Sequence, residues 1–190
     1  SGFYYQPEVL NFLAFLKLLT NPYDNESFLR CIRLPSLKIS EKTVEKIIKQ
    51  SESENIPLFE VITKPKKMPK DALDAIQQFK KLLEKIEKRK EDHLDQLIDY
   101  IAQATGYTKY LKQTYIEKQK HLAETQKLAG EESYLPPKKS LKKKKKSANH
   151  SPEIQNFEAL KASAKQKRFS ILEFIHHIAL MDGLDHLSQQ

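Results

Sequence analysis

Apolar residues recur along this chain at intervals of three and four, and the breaks between runs fall at proline, asparagine and glycine. The first run, Val9, Leu10, Phe12, Leu13, Leu16 and Leu19, predicts a helix opened by Pro7-Glu8. Phe15 and Leu18 widen its stripe, so this helix should be buried on more than one side. Asn21-Pro22 ends it, because the residue before a proline is pushed out of the helical region. Asp24 or Asn25 can cap a second short helix carrying Phe28, Leu29, Cys31 and Ile32, which stops at Pro35. After the turn Ser36-Leu-Lys-Ile-Ser40, Ser40 caps a third helix with Val44, Ile47 and Ile48 on one face.

Asn55-Ile-Pro leads into a short helix through Leu58, Phe59 and Ile62, and Lys64 to Pro69 is a polar break. From Asp71 a long amphipathic helix is predicted through Leu73, Ile76, Phe79, Leu83 and Ile86. Its stripe fails at Arg89-Lys-Glu-Asp92, where Lys90 and His93 stand at apolar positions, and restarts as Leu94, Leu97, Ile98 and Ile101 before stopping at Gly106. That pattern predicts two helices with a joint. Residues 108–128 read as a polar helix with a thin apolar face of Leu111, Tyr115 and Leu122. Residues 130–152 are rich in Lys, Ser and Pro, with almost no apolar content, and are expected to be a disordered insertion. A last helical region carries Phe157 and Leu160, then Phe169, Leu172, Phe174, Ile175, Ile178, Ala179 and Leu180, with a break expected at Asp182-Gly183. No stretch alternates in the manner of a strand. The expectation is one all-α domain, an irregular multi-helix bundle over residues 2–190.

Composition supports this picture. The 190 residues include only 4 Gly, are 39% hydrophobic and 31% charged, and contain no Trp. A single cysteine, Cys31, excludes an internal disulfide and suits a reducing compartment. No apolar run is long enough to cross a bilayer, and no basic-then-apolar leader opens the chain, so a soluble, intracellular protein is expected. The net charge is +8, of which Lys138, Lys139 and Lys142 to Lys146 supply seven; the remainder stands at +1. Basicity is therefore local to one tract and says little about the folded surface.

The usual catalytic signatures are missing from this sequence. It has no GxxxxGK[ST] loop to cradle a nucleotide, and its scattered glycines cannot form GxGxxG. Cys31 has no CxxC partner and reads as a small buried residue, and the adjacent His176 and His177 project about 100° apart, which rules out an i, i+4 metal pair. The Glu/Lys alternation in KKLLEKIEKRKED reads as a solvated helix face laced by i, i+4 pairs. No catalytic site, metal site or cofactor is expected in this chain.

The N-terminal stretch EVLNFLAFLKLLTNPYDNESFLRCIRLPSLKISEKTVEKI resembles the start of the 2B subdomain of UvrD/Rep/PcrA-type superfamily 1 DNA helicases. Glu8-Val9, Leu13-Ala14-Phe15-Leu16, Asn21-Pro22, Asp24, Ser27-Phe28-Leu29-Arg30, Ile32, Pro35, Ile39 and Thr43 fall in register with the family pattern. NIPLFEVI, FKKLLEKIEKRKEDHLDQLIDYIAQATGY and the segment from IQNFEALKASAKQ to FSILEFIHHIALMDGLD resemble later family segments in the same order. The likeness covers roughly residues 2–116 and 153–187, with the lysine tract between them as an insertion.

The resemblance implies an insertion subdomain of an ATP-dependent 3′–5′ DNA helicase. Its ATP and Mg²⁺ site would lie elsewhere in the parent, between the motor subdomains. It also implies a bacterial cytoplasmic setting, contacts with the other subdomains of the same chain, no membrane, and contact with duplex DNA. The family's duplex contact is a turn of the form PxRGIGxxT, whose glycines let backbone amides approach phosphates. Here Leu37 replaces the arginine, and Lys38 and Ser40 replace the two glycines, while Ile39 and Thr43 are kept. Lys38, Ile39, Ser40, Lys42 and Thr43 are thus one candidate nucleic-acid site.

The tract residues Lys142, Lys143, Lys144, Lys145 and Lys146 are the other candidate. A dense run of cations attracts phosphates without reading bases, so weak, non-specific duplex binding is expected to reside mainly in Lys138–Lys146 and not in the Lys38–Thr43 turn, which has lost its glycines and its arginine. For any specific use, the simpler reading of the tract is a solvated loop-tip insertion. The competing class is a stand-alone helical adaptor whose polybasic segment binds nucleic acid or directs targeting.

Overall fold

A computed structural model of the chain describes residues 2–129, 146–166 and 168–188. Helix α1 (Pro7–Thr20) carries Pro at its first position and ends at Asn21, whose extended backbone (φ −150°, ψ 97°) is what the following Pro22 demands. Val9, Phe12, Leu13, Ala14, Phe15, Leu16 and Leu18 are all buried, so α1 is enclosed on several sides. The elements that enclose it come from the start, middle and end of the sequence: the 3-10 turn Phe3–Tyr5, α2 (Asn25–Ile32), α6 (Leu94–Thr105), α8 (Pro152–Lys165) and α9 (Ile171–Ser188). A short helix apolar on nearly every face is stable only as such a centre. Phe12 stacks on Phe157 of α8 with ring centroids 5.0 Å apart, which ties the two ends of the chain together.

Asp24 caps α2, accepting from the Ser27 amide at 3.1 Å and from its hydroxyl at 2.7 Å. Phe28 of α2 meets Phe79 edge to face at 5.5 Å. After a 3-10 turn at Pro35–Leu37, Ser40 caps α3 (Glu41–Glu54), which ends on Asn55 in the left-handed region at φ 53°. The Asn25 side chain accepts from the Leu58 amide at the start of α4 (Leu58–Thr63). Helix α5 (Lys70–Glu87), the joint at residues 88–93 and α6 follow as the sequence predicts. Gly106 (φ 67°) then turns the chain directly into α7 (Tyr107–Leu128). Every regular element among the described residues is helical, and the fold is all-α as expected.

Several sequence readings need correction at the level of single residues. On α5 the buried stripe is Ala72, Ile76, Phe79, Leu82 and Ile86; Leu73 is 39% exposed and Leu83 only half-buried. The larger Leu73 is the more obvious choice in a pattern, but the packed position belongs to its small neighbour Ala72. On α7 the apolar face is shorter than expected. Tyr107 and Leu111 are buried, while Leu122 is 55% exposed. Asp182-Gly183 does not break α9, which continues to Ser188. A lone glycine costs a helix about 1 kcal/mol, and Gly183 is not at positive φ, unlike Gly2 and Gly106. Leu172 and Leu180, read as apolar stripe positions of α9, are exposed, whereas Phe174 and Ile178 are buried.

Of the 130–152 insertion, residues 130–145 lie outside the described residues. Its final part has structure: Ala148 is buried, and buried Ser151 caps α8 by accepting from the Ile154 amide. Low apolar content concealed these two anchors, because an alanine and a capping serine carry almost no signal in a hydrophobicity pattern.

Candidate nucleic-acid interface

The turn between α2 and α3 is built from three local devices. The Leu37 amide donates to the Leu34 carbonyl at 3.0 Å, and the Lys38 amide to the Pro35 carbonyl at 3.2 Å, closing one 3-10 turn. Lys38 then takes a left-handed conformation (φ 56°, ψ 34°), reversing the chain so that Ser40 enters α3 from an extended backbone. Finally, the Ser40 hydroxyl accepts from the Thr43 amide at 3.3 Å and lies 3.1 Å from the Thr43 hydroxyl. Of the five candidate residues, Lys38, Ser40 and Lys42 are exposed, Ile39 packs on the core, and Thr43 is buried. Ile39 and Thr43 therefore shape the turn, and the exposed cations are Lys38 and Lys42.

Electrostatics around the turn favour an anion. Glu41 at the start of α3 would repel a phosphate, but Arg33 holds it in a two-pronged ion pair, Nη2 to Oε1 at 2.7 Å and Nε to Oε2 at 3.3 Å. Lys38 and Lys42 are both exposed beside the N-terminus of α3, where the helix dipole adds partial positive charge. Helix α7 packs against the Pro35–Leu37 turn and supports it from behind.

Lys38 also stands on the rim of an open groove of about 560 Å³. Leu37, Lys38 and Ile39 form one wall, Ala75, Gln78, Phe79, Lys81, Leu82 and Lys85 of α5 the second, and Tyr100, Gln103 and Ala104 of α6 the third. No carboxylate is among these lining residues. Beyond the rim, the Arg89 guanidinium lies 4.4 Å from the centre of the Tyr100 ring and is also paired with Asp92.

Lys81, Lys85 and Tyr100 were not singled out in the sequence. Lysines in a Glu/Lys-rich helix are ordinarily assigned to i, i+4 pairs, but the ion pairs within this stretch are Lys90–Glu87 and Arg89–Asp92, both i, i+3 at the joint. One signal was present: the i±3 and i±4 neighbours of Lys85 are Lys81, Leu82, Lys88 and Arg89, with no acid among them. The second candidate site is only partly visible. Lys142, Lys143, Lys144 and Lys145 lie outside the described residues, and Lys146 is exposed at the start of a single helical turn, Lys146–Ala148.

Two further sequence readings concern Cys31 and metal-ligating side chains. Burial, reinforced by the nearby charge of Asp24, pushes the Cys31 thiol well above its ordinary pKa, which leaves it unreactive. Among the described residues no three of His, Cys, Asp and Glu are grouped to hold a metal ion, and no helix is long and apolar enough to cross a membrane.

Comparison with known proteins gives a consistent answer. The family model described as the UvrD-like helicase C-terminal domain matches residues 1–190. The chain is 32% identical over 121 residues to the ATP-dependent DNA helicase Rep of Buchnera aphidicola subsp. Schizaphis graminum (strain Sg), covering 60% of this chain and 18% of that protein. It is 34% identical over 59 residues to the ATP-dependent DNA helicase Rep of Escherichia coli (strain K12), covering 31% of this chain and 9% of the relative. With the ATP-dependent DNA helicase PcrA of Bacillus subtilis (strain 168) the identity is 27% over 116 residues, covering 59% of this chain and 16% of that one. The chain spans less than a fifth of the length of these relatives.

Proposed function

Because the chain belongs to the UvrD-like helicase C-terminal domain family, we propose that it is the 2B-like insertion subdomain of an ATP-dependent DNA helicase of the Rep/PcrA kind. In this reading it carries no chemistry of its own. It contacts duplex DNA weakly and without sequence preference, and it regulates a motor whose ATP and Mg²⁺ site lies outside residues 1–190.

The observation that carries the proposal is the backbone at Lys38. The family turn has glycine there, and Lys38 nonetheless holds φ 56°, the left-handed geometry that glycine adopts without cost. A backbone that suits glycine at Lys38 supports reading this turn as a counterpart of the family turn with altered chemistry. At the second glycine position Ser40 has φ −66°, a conformation open to any residue, and its hydroxyl serves as the α3 cap. A turn held in shape, with free cations at a helix N-terminus, suits positioning on a phosphate backbone and not base readout.

The test is excision. Replacing residues 2–187 of the parent by a short linker should leave DNA-stimulated ATP hydrolysis measurable while changing the rate of duplex unwinding. The isolated chain should hydrolyse no ATP, with or without single-stranded DNA. Turnover by the isolated chain, or loss of all ATP hydrolysis on excision, would place the motor chemistry inside this segment and refute the reading.

A further inference from the structure

The groove beside the turn has a feature that the turn alone does not explain. Lys81 and Lys85 are four residues apart on α5, so they project from the same face about 6 Å apart along the helix axis. Both are exposed, and neither forms an ion pair with a carboxylate among the described residues. Two like charges at this spacing repel each other, and no acid lines the groove to offset them. Lys38 extends this row of cations from the opposite wall. Gln78, Gln103 and Tyr100 add polar groups, and Ala75, Phe79, Leu82 and Ala104 form an apolar floor. Such a surface is complementary to a polyanion with a regular charge spacing and an apolar element between the charges. The sugar–phosphate backbone of a nucleic-acid strand has both properties.

We propose that this groove seats the phosphate backbone of one strand of duplex DNA, held by the Lys81 and Lys85 side chains with Lys38, in place of contact through glycine amides. The proposal rests on the reading of this chain as a duplex-contacting subdomain, and it names where and how that contact is made. At Lys38 a long side chain stands where close approach of the backbone would need glycine, so the contact moves outward to ammonium groups. The groove is concave and offers no helix or strand to enter a DNA groove, so it reads no bases.

The test is equilibrium binding of a short fluorescent duplex by the 190-residue chain, measured by anisotropy over a salt series. The tract is first neutralised by changing Lys138, Lys139 and Lys142–Lys146 to Ser. This form should still bind the duplex at low salt, with no preference between unrelated sequences. Adding Lys81→Ala and Lys85→Ala should weaken binding about tenfold or more and reduce the slope of log K against log salt by about 2, one unit for each lost phosphate contact. Both side chains are exposed, so thermal unfolding should be unchanged. Lys38→Gly supplies a residue at ease at φ 56° and removes one charge, and should weaken binding only slightly.

Three results would overturn the groove while leaving the broader reading in place: the tract-neutralised chain fails to bind although the unmodified chain binds, the Lys81/Lys85 change has no effect, or Lys38→Gly tightens binding, which would show that amides make the contact. If the unmodified chain binds no duplex at any salt, both the groove and the duplex-contacting reading fail. Tighter binding of single-stranded DNA than of duplex would likewise overturn the groove as assigned.

Discussion

At the scale of single residues, several polar side chains join one helix to another or cap a helix end. Asn11 of α1 links three elements: its Nδ2 donates to the Tyr107 hydroxyl at 2.8 Å, and its Oδ1 accepts from Arg30 at 3.1 Å. Burial pushes the Tyr107 phenol up to about 12, so it stays protonated at any physiological pH. Glu8, buried at the start of α1, accepts from Asn156 of α8 at 2.6 Å. Asp24 offers the cleanest test. Partial burial alone would raise its pKa, but the Ser27 amide and hydroxyl and the charge of Lys17 outweigh that and hold it below its ordinary 3.8. A depressed carboxylate contributes stability that is present above its unfolded pKa and lost as pH falls through its folded one. Asp24→Ala should therefore cost about 1 kcal/mol at neutral pH. The gap from the unmodified chain should narrow once pH falls below 3.8, and urea unfolding at several pH values measures this directly.

At the scale of elements, the sequence specified the helices better than their faces. Asn21-Pro22, Asp24, Ser40 and Gly106 were legible because each boundary rests on local chemistry, a proline, a cap or a left-handed residue. Faces depend on what packs opposite, and no local pattern states that. Leu73 lost its expected burial to Ala72 for this reason, and Leu122 stands on the part of α7 that nothing described buries. The groove was illegible for a related reason, since Lys38, Lys85 and Tyr100 come from three separate segments that only the fold brings together. The turn was singled out as a candidate through family resemblance and its lost glycines, but its left-handed Lys38 was not foreseen, because lysine carries no signal for that conformation. Burial also predicts a contrast between two leucines. Leu16→Ala at the centre of α1 should destabilise by about 2–5 kcal/mol, and Leu73→Ala by less than about 0.5 kcal/mol beyond propensity effects. A loss below about 1 kcal/mol for Leu16→Ala in denaturant unfolding would show that α1 is peripheral.

At the scale of the whole molecule, α1 explains why two strongly apolar helices stand back to back near the start of a basic chain. α2 packs on α1, and α1 in turn is the base on which α8 and α9 close, so the N-terminal and C-terminal parts of the segment meet on one central helix. The central claim is that residues 1–190 are an insertion within a helicase, and the most direct measurement is the sequence of the reading frame on either side of them. The account predicts one uninterrupted frame, with a GxxxxGK[ST] phosphate loop and motor sequence upstream and further motor sequence downstream. A frame that starts shortly before residue 1 and stops shortly after residue 190 would contradict it and leave a free-standing helical protein in its place.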